Sequence, residues 1–405
     1  MDLQYVQGKP LFTTINSGYK KYPCLNENIN TEVVIVGGGV TGGILGYYFT
    51  KHNIPAVILE KGKIGYGSTS ITTSLLQYEL DENLNELAQG TTIENSIKAY
   101  KLGIDALDEI DRFISEHGNN CDYKKKSTLL YTDKDLEKKE IEEEYKLRKE
   151  YNFDVKFIDE ANNPFSFDLK AGVYSNNGGA ELDPYKYTHQ LLDVSCRKGL
   201  KVYENTEAVK VSYNINGVQI DTIHNYKVRG KIVIVATGYN TKLFTNRNFG
   251  TETTTFNIAT KPVGDFSGWP DRVLIRDNSD PYNYLRTTAD NRIIIGGEDV
   301  DFVPEIFNEK IANDKYAILE GRLKSMFKNI KNIEIEYKYC GAFASTKDNL
   351  GFLGVDPKNK KLWYCLGYGA NGILFSILGG MMLSKLYLGE MDENLKLFKV
   401  DRFDN

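Results

Sequence analysis

The sequence predicts an α/β protein: a discontinuous Rossmann-like domain carrying an inserted α+β domain built on an antiparallel or mixed sheet. Three observations lead there. An apolar strand-like run, "TEVVIV", passes directly into "GGGVTGG" and then into a helical stretch. A second glycine-rich loop, "GYGANGILFS" at Gly367–Ser376, opens another helical stretch near the C-terminus. Between them lies "IVIVATG", an apolar strand ending in a small-residue turn, among further strands and helices. Nucleotide-type units at both ends imply one domain assembled from separated segments. The expected division is residues 1–90, 184–250 and 340–405 for that domain, with 91–183 and 251–339 for the insert.

Taken in order, the first buried strand ends at the glycines, and a helix runs from about Val40 to Lys51. "AVILE" is the second strand, closed by Glu60. A long amphipathic helix follows, with Ile93, Ile97, Tyr100, Ile104 and Leu107 on one face, Thr91 and Glu94 at capping-box spacing and Gly118 as its stop. The charge run "DLEKKEIEEEYKLRKEY" reads as a solvated helix with a thin apolar edge. "VKFI" and "AGVYS" are short strands; Asp183, Pro184 and Gly199 mark the cap, first residue and end of another helix. "KVYENTEAVKVSY", "GVQIDTI" and "YKVRGKIVIVATG" read as three successive strands. "TTFNIAT", "RVLIR", "YNYLRTT" and "RIIIGG" are four more, then a helix over roughly Glu305–Phe327 and the alternating strand "IEIEYKYCGAF".

The bulk composition excludes several classes. With 405 residues, 41% hydrophobic and 26% charged, the chain is long enough for two or three domains and a large core. A net charge of -5 gives no reason to expect nucleic acid or an anionic membrane as partner. The N-terminal stretch has no apolar signal-like region, and the longest apolar run, Ile373–Leu383, is too short to span a bilayer. Five scattered cysteines form neither a disulfide framework nor a metal motif, so reduced thiols in a cytoplasmic protein and no bound metal are expected.

Gly37, Gly39 and Gly42 form G-x-G-x-x-G between a strand and a helix that starts with Val40 and Thr41. The first glycine permits the turn, the second admits a pyrophosphate close to the backbone, and the third lets helix and strand approach, while the helix N-terminus favours negative charge. Glu60, followed by Lys61, ends the next strand where a carboxylate accepts from a ribose hydroxyl. This spacing alone does not separate FAD from NAD. The hydroxyl-rich "GSTSITTSLLQYELD" after Glu60 and the "IVIVATG" strand tip the reading toward FAD, since an NAD domain needs neither there.

Together with "AELDPYKY", "YNYLRTTADNRIIIGGED", "GAFASTKDNLGFLG" and "GYGANGI", these segments resemble the D-amino-acid oxidase superfamily of FAD-dependent oxidoreductases, over about Asn30–Glu390. That superfamily includes glycine oxidase, sarcosine oxidase and the γ-glutamylputrescine oxidoreductase type. The resemblance implies one extended, noncovalent FAD held at both loops, which answers why a glycine loop stands at each end. Gly37, Gly39, Val40, Thr41 and Gly42 would lie at the pyrophosphate, and Glu60 and Lys61 at the adenosine ribose. Ser68, Thr69, Ser70 and Thr73 would take the phosphate and flavin side, the Val209 backbone the adenine, and Thr237 and Gly238 the channel wall. Gly369, Asn371, Gly372 and Ile373 would sit by the flavin ring.

The implied activity is oxidation of a C–N bond in a small amine or amino acid, with electrons passing to oxygen or another acceptor. Three further readings stay open: a tRNA-modifying flavoprotein, a non-catalytic FAD-binding subunit, and an NAD-dependent dehydrogenase that would bind no flavin. Phe343 and Tyr339 stand where the superfamily's W-x-G-x-R pattern has its arginine and tryptophan, so the usual carboxylate clamp is missing. Tyr282, Tyr284 and Arg286 alternate along one strand and could supply a replacement, or be two packed tyrosines beside a structural arginine. Gln77 and Tyr78 are further substrate-side candidates. The alternation Ile335, Tyr337, Tyr339 puts Cys340 on the opposite face, away from covalent flavin attachment.

Overall fold

The computed structural model describes residues 5–303, 308–369 and 371–404. Three four-residue apolar strands, buried on both faces, form the centre of a six-stranded sheet. Its order is Phe352–Asp356, Asn359–Leu366, Ile232–Val235, Val33–Val36, Ala56–Leu59 and Lys201–Tyr203, parallel except for the Phe352–Asp356 edge. Val33–Val36 sits centrally, every side chain buried, in straight register with Ile232–Val235 on one side and Ala56–Leu59 on the other. Three chain segments far apart in sequence therefore meet in one sheet.

Alternate residues of these strands pack on different layers. Val33, Ile35, Ile58 and Ile234 face helices Val40–Lys51, Ile93–His117 and Gly372–Tyr387. Val34, Val36, Val57 and Val233 face a four-stranded sheet of Ala208–Asn214, Gly217–Thr222, Lys227–Gly230 and Ile29–Asn30. The three long strands expected from residue 201 onward are thus divided between two sheets. The Lys201–Tyr203 strand stops before Thr206, whose N–H bonds the Glu60 carbonyl, and Lys231 separates Lys227–Gly230 from Ile232–Val235.

The second layer system is a ten-stranded mixed sheet. Its order is Val6–Gly8, Ile335–Ser345, Thr251–Thr260, Ile293–Asp301, Asn283–Thr287, Leu274–Asp277, Lys124–Thr132, Ala171–Glu181 and Leu75–Gln77, with Val155–Asp159 also on Ala171–Glu181. One face, bearing Phe256, Ile258, Leu285, Ile293, Ile295 and Cys340, is covered by helix Glu309–Met326 through Tyr316, Leu319 and Leu323. The other face turns toward the cofactor loops. Val6–Gly8, Leu75–Gln77 and the end of Ile335–Ser345 join this sheet although the expected division gave residues 1–90 and 340–405 to the first domain. Which strands pair in a sheet carries no signature in side-chain pattern.

Three local expectations change. The long helix is capped by Thr92, whose hydroxyl accepts from the Asn95 N–H at 3.2 Å, rather than by Thr91 and Glu94. Thr91 instead ends a preceding helix, Leu84–Gly90, which owns the capping box, Asn83 with Glu86. The expected helix over Glu305–Phe327 begins at Glu309, and its first residues, 305–307, lie outside the described residues. The charge-run helix Lys138–Glu150 is not wholly solvated: Glu144 and Arg148 are 1% and 0% exposed. Arg148 donates from Nε to Glu144 at 2.6 Å and from Nη1 to Glu79 at 3.0 Å, and Glu79 also accepts from Thr128 and Ser175. Its guanidinium lies over the Tyr78 and Tyr100 rings.

Removing the cation would leave two carboxylates buried without a counter-charge. Arg148→Met is expected to cost about 3–5 kcal/mol of stability, read as a lowered midpoint in urea unfolding. A loss under about 1 kcal/mol would mean the site rehydrates and the ion pair is not structural.

Candidate active site

The glycine turn obeys its spacing for steric reasons. Gly37 has φ +116, and a Cβ on it would lie 2.2 Å from the Ala236 carbonyl oxygen, so the turn presses on the neighbouring strand's exit. A Cβ on Gly42 would lie 2.0 Å from the Gly37 oxygen, which shows how closely helix and turn approach. A Cβ on Gly39 meets only Thr69 Oγ1, at 3.0 Å. Thr69 Oγ1 accepts from the Val40 N–H at 2.9 Å, holding the hydroxyl-rich segment against the helix N-terminus. Glu60 is gripped at both oxygens, by the N–H groups of Gly38 and Gly62, each at 2.7 Å. Burial raises its pKa, against those two bonds, which pull it down.

The second glycine loop arrives at the same place. Thr41 Oγ1 lies 2.8 Å from Ser376 Oγ, so the first turns of helices Val40–Lys51 and Gly372–Tyr387 touch. Tyr368 donates to the Gly238 carbonyl at 2.8 Å, Gly238 has φ +61, and the Gly369 N–H bonds the Ala344 carbonyl. Asn371, 4% exposed, donates through Nδ2 to the carbonyls of Gln77 and Glu79, both at 3.0 Å. Gly372 begins the helix, Ile373 is buried behind it, and Ala370 lies outside the described residues. The Thr237 hydroxyl is buried without a partner beside these loops.

The glycine turn, the hydroxyl segment, the Thr237–Gly238 turn and the C-terminal loop therefore converge, and this cradle of backbone N–H groups and helix N-termini fits an extended dinucleotide. Ser70 and Thr73 stand slightly apart: Ser70 donates to the Gly67 carbonyl and the Thr73 carbonyl accepts from Arg286. Lys61 is exposed, and Val209 lies at a bulge with its side chain 47% exposed, so only its backbone faces inward as a candidate.

Opposite the cradle stands the free face of the ten-stranded sheet. Register places Thr253 against Phe343, Thr255 against Gly341 and Asn257 against Tyr339, with Asn257 also opposite Gly296. Tyr284, paired with Gly296, donates to Asn257 Oδ1 at 3.3 Å and lies 3.1 Å from Thr255 Oγ1. Gly296 is required there, since its Cβ would come within 2.2 Å of Asn257 Oδ1 and 2.5 Å of the Tyr284 ring. Tyr282 bonds Asp81, and Asp299, held partly by Thr255, has its pKa pushed up to about 6, mainly by burial. Burial also raises the pKa values of Tyr282, Tyr284 and Tyr339.

Among the substrate-side candidates, Tyr284 lies on this face and Gln77 reaches the site through its carbonyl. Arg286 and Tyr78 need correction. Arg286, 2% exposed, spends its guanidinium on the carbonyls of Thr73, Thr287 and Leu182, with Glu181 3.9 Å away and Phe12 beneath, so it is a structural cation. Tyr78 stacks on Phe153 and bonds Ser175 inside the Arg148 network, pointing into the core. Sequence reasoning passed over Asn257, Thr255, Asp299 and Asp81. Asp81 closes the hydroxyl segment it did quote, whereas Asn257 and Asp299 come together only through strand pairing. Cys340 is 1% exposed in the core under helix Glu309–Met326, on the face away from the cradle.

The fold and the cradle define an α/β dinucleotide-binding enzyme scaffold. Residues 32–386 match the family described as FAD dependent oxidoreductase, and the chain belongs to that family. It is 22% identical over 385 residues to γ-glutamylputrescine oxidoreductase of Escherichia coli (strain K12), covering 92% of this chain and 87% of that one. Glycine oxidase of Bacillus subtilis (strain 168) is 22% identical over 378 residues, 92% of this chain and 97% of its own. The crystal structure of glycine oxidase from Geobacillus kaustophilus superposes with a TM-score of 0.78 at 19% identity, over 93% of this chain and all of that one. Among the described residues no helix is long and apolar enough to cross a membrane, and no group of side chains could hold a metal ion.

If the cradle holds FAD, Gly42→Ala forces turn and helix apart. Overpacking strain of about 1–3 kcal/mol corresponds to a roughly 10- to 100-fold weaker FAD dissociation constant, checked by fluorescence titration of apoprotein. Unchanged FAD affinity in a folded variant would remove the turn from the site.

Proposed function

We propose that this FAD-dependent oxidoreductase oxidises a C–N bond of a small amine or amino acid, passing the electrons on to oxygen or another acceptor. The observation that carries the reading is the Thr41–Ser376 contact: two glycine loops from opposite ends of the chain meet, facing a polar sheet wall. FAD bound there supplies a two-electron acceptor for a hydride leaving the carbon beside nitrogen. Gly37, Gly39 and Gly42 would hold the pyrophosphate and Glu60 the ribose. Gly369, Asn371 and Gly372 would hold the ring, where the N-terminus of helix Gly372–Tyr387 stabilises the negative charge gained on reduction. Tyr284, Asn257 and Thr255 would orient the amine. As hydride departs, the nitrogen lone pair closes the C=N bond, and the imine then hydrolyses in water. Five free cysteines support a cytoplasmic setting, and the burial of Cys340 supports noncovalent flavin.

The purified protein is expected to show flavin absorbance that is released to the supernatant on acid precipitation and bleached anaerobically by an amine or amino acid. Colour retained in the pellet would mean a covalent link. Flavin that no amine or amino acid bleaches would overturn the catalytic reading in favour of a binding subunit.

A further inference from the structure

The sheet face opposite the cradle carries two acids, Asp299 and Asp81, and one cation, Arg286, whose guanidinium is taken up by backbone carbonyls. Tyr282 bonds Asp81, and Thr255, which contacts the Tyr284 hydroxyl, also bonds Asp299, so both acids flank the same patch. Asp81 Oδ2 is 3.9 Å from where a Cβ on Gly369 would stand, which ties the patch to the C-terminal glycine loop. Asp299 Oδ1 is buried without a hydrogen-bond partner. At the base of the patch Asn257 and Tyr339, each 0% exposed, leave Nδ2 and the hydroxyl unpaired. Buried polar atoms without protein partners call for a ligand, an ion or ordered water to satisfy them. Lys315 is paired with Glu298 at 3.1 Å, and Arg286 is committed to carbonyls.

A substrate carboxylate entering here would lose water beside two carboxylates, an unfavourable exchange. An ammonium group would meet an unpaired carboxylate oxygen and a ring of tyrosines. We infer that the substrate is an alkylamine cation without a carboxylate on the reacting carbon, its ammonium group docked on Asp299 among Tyr282, Tyr284 and Asn257. This rests on the oxidative reading above and narrows its substrate class. Docking also provides for the proton: the N–H bond breaks, the carboxylate oxygen takes the proton, and the nitrogen lone pair is freed for C=N formation.

The test uses matched probes that differ by one carboxylate, n-butylamine against norvaline and n-pentylamine against norleucine, on the FAD-loaded enzyme. Binding is read from perturbation of the flavin spectrum, and turnover from anaerobic bleaching. The amines are expected to bind at least about tenfold tighter than their amino acids. Asp299→Asn, checked for unaltered flavin content, is expected to weaken amine binding by about tenfold or more, the worth of a charge-assisted bond. Norvaline or norleucine binding as well as its amine overturns the inference while leaving the oxidative reading intact. Amine binding indifferent to Asp299→Asn overturns it as well. If amines bind with the stated preference and Asp299 dependence yet nothing bleaches, the site assignment holds and the oxidative reading falls.

Discussion

Everything in this molecule that bears on chemistry depends on one piece of parallel pairing, Val33–Val36 between Ala56–Leu59 and Ile232–Val235. All twelve side chains are buried, so the strands have no solvent face to slip toward and the register is rigid. Because strands in such a sheet end together, the glycine turn, Glu60 and the Thr237–Gly238 turn emerge along one edge, where open α/β sheets bind ligands. The fourth loop reaches that edge by extension, as Asn359–Leu366 adds to the same sheet and feeds Gly367–Gly372. A change in the central register would displace every part of the cradle at once.

The two sheets are joined by polar contacts as well as by apolar burial. Asn371 reads the carbonyls of Gln77 and Glu79, and Glu79 is itself held by Arg148, Thr128 and Ser175. A loop of the cradle is thus anchored to the buried ionic network of the other sheet. Such networks add little net stability relative to apolar packing but hold geometry firmly when most of their members are bonded. Arg286 does similar work at the other end of the wall, tying Thr73 and Leu182 to its own strand.

Legibility in the sequence followed the range of the interactions. The Val40–Lys51 helix and the Asp183 cap with Pro184 and Gly199 came out as read, because caps, turns and periodicity act within a few residues. Thr91 was misassigned because a short helix, Leu84–Gly90, ends on it, and its own capping box at Asn83 and Glu86 went unread. The Lys138–Glu150 helix was read as solvated since its charged residues look alike in sequence, and burial of Arg148 depends on Glu79, 69 positions away.

By itself the sequence located the glycine turn and the acid that ends the next strand, where a Cβ on Gly37 or Gly42 would come within 2.2 Å of a backbone oxygen and so only glycine fits. It also determined the family, through motifs kept in order along the chain. Only the tertiary structure decided what the sheet face opposite the glycine loops is made of. Asn257, Tyr284, Asp299 and Asp81 lie on three different strands and a loop, brought together by backbone hydrogen bonds that are blind to side-chain identity. The same pairing decided that Arg286 is a strut, because the carbonyls that consume it belong to residues as distant as Thr73. Local rules can place a strand; which strand becomes its neighbour is settled by how whole layers bury their apolar faces.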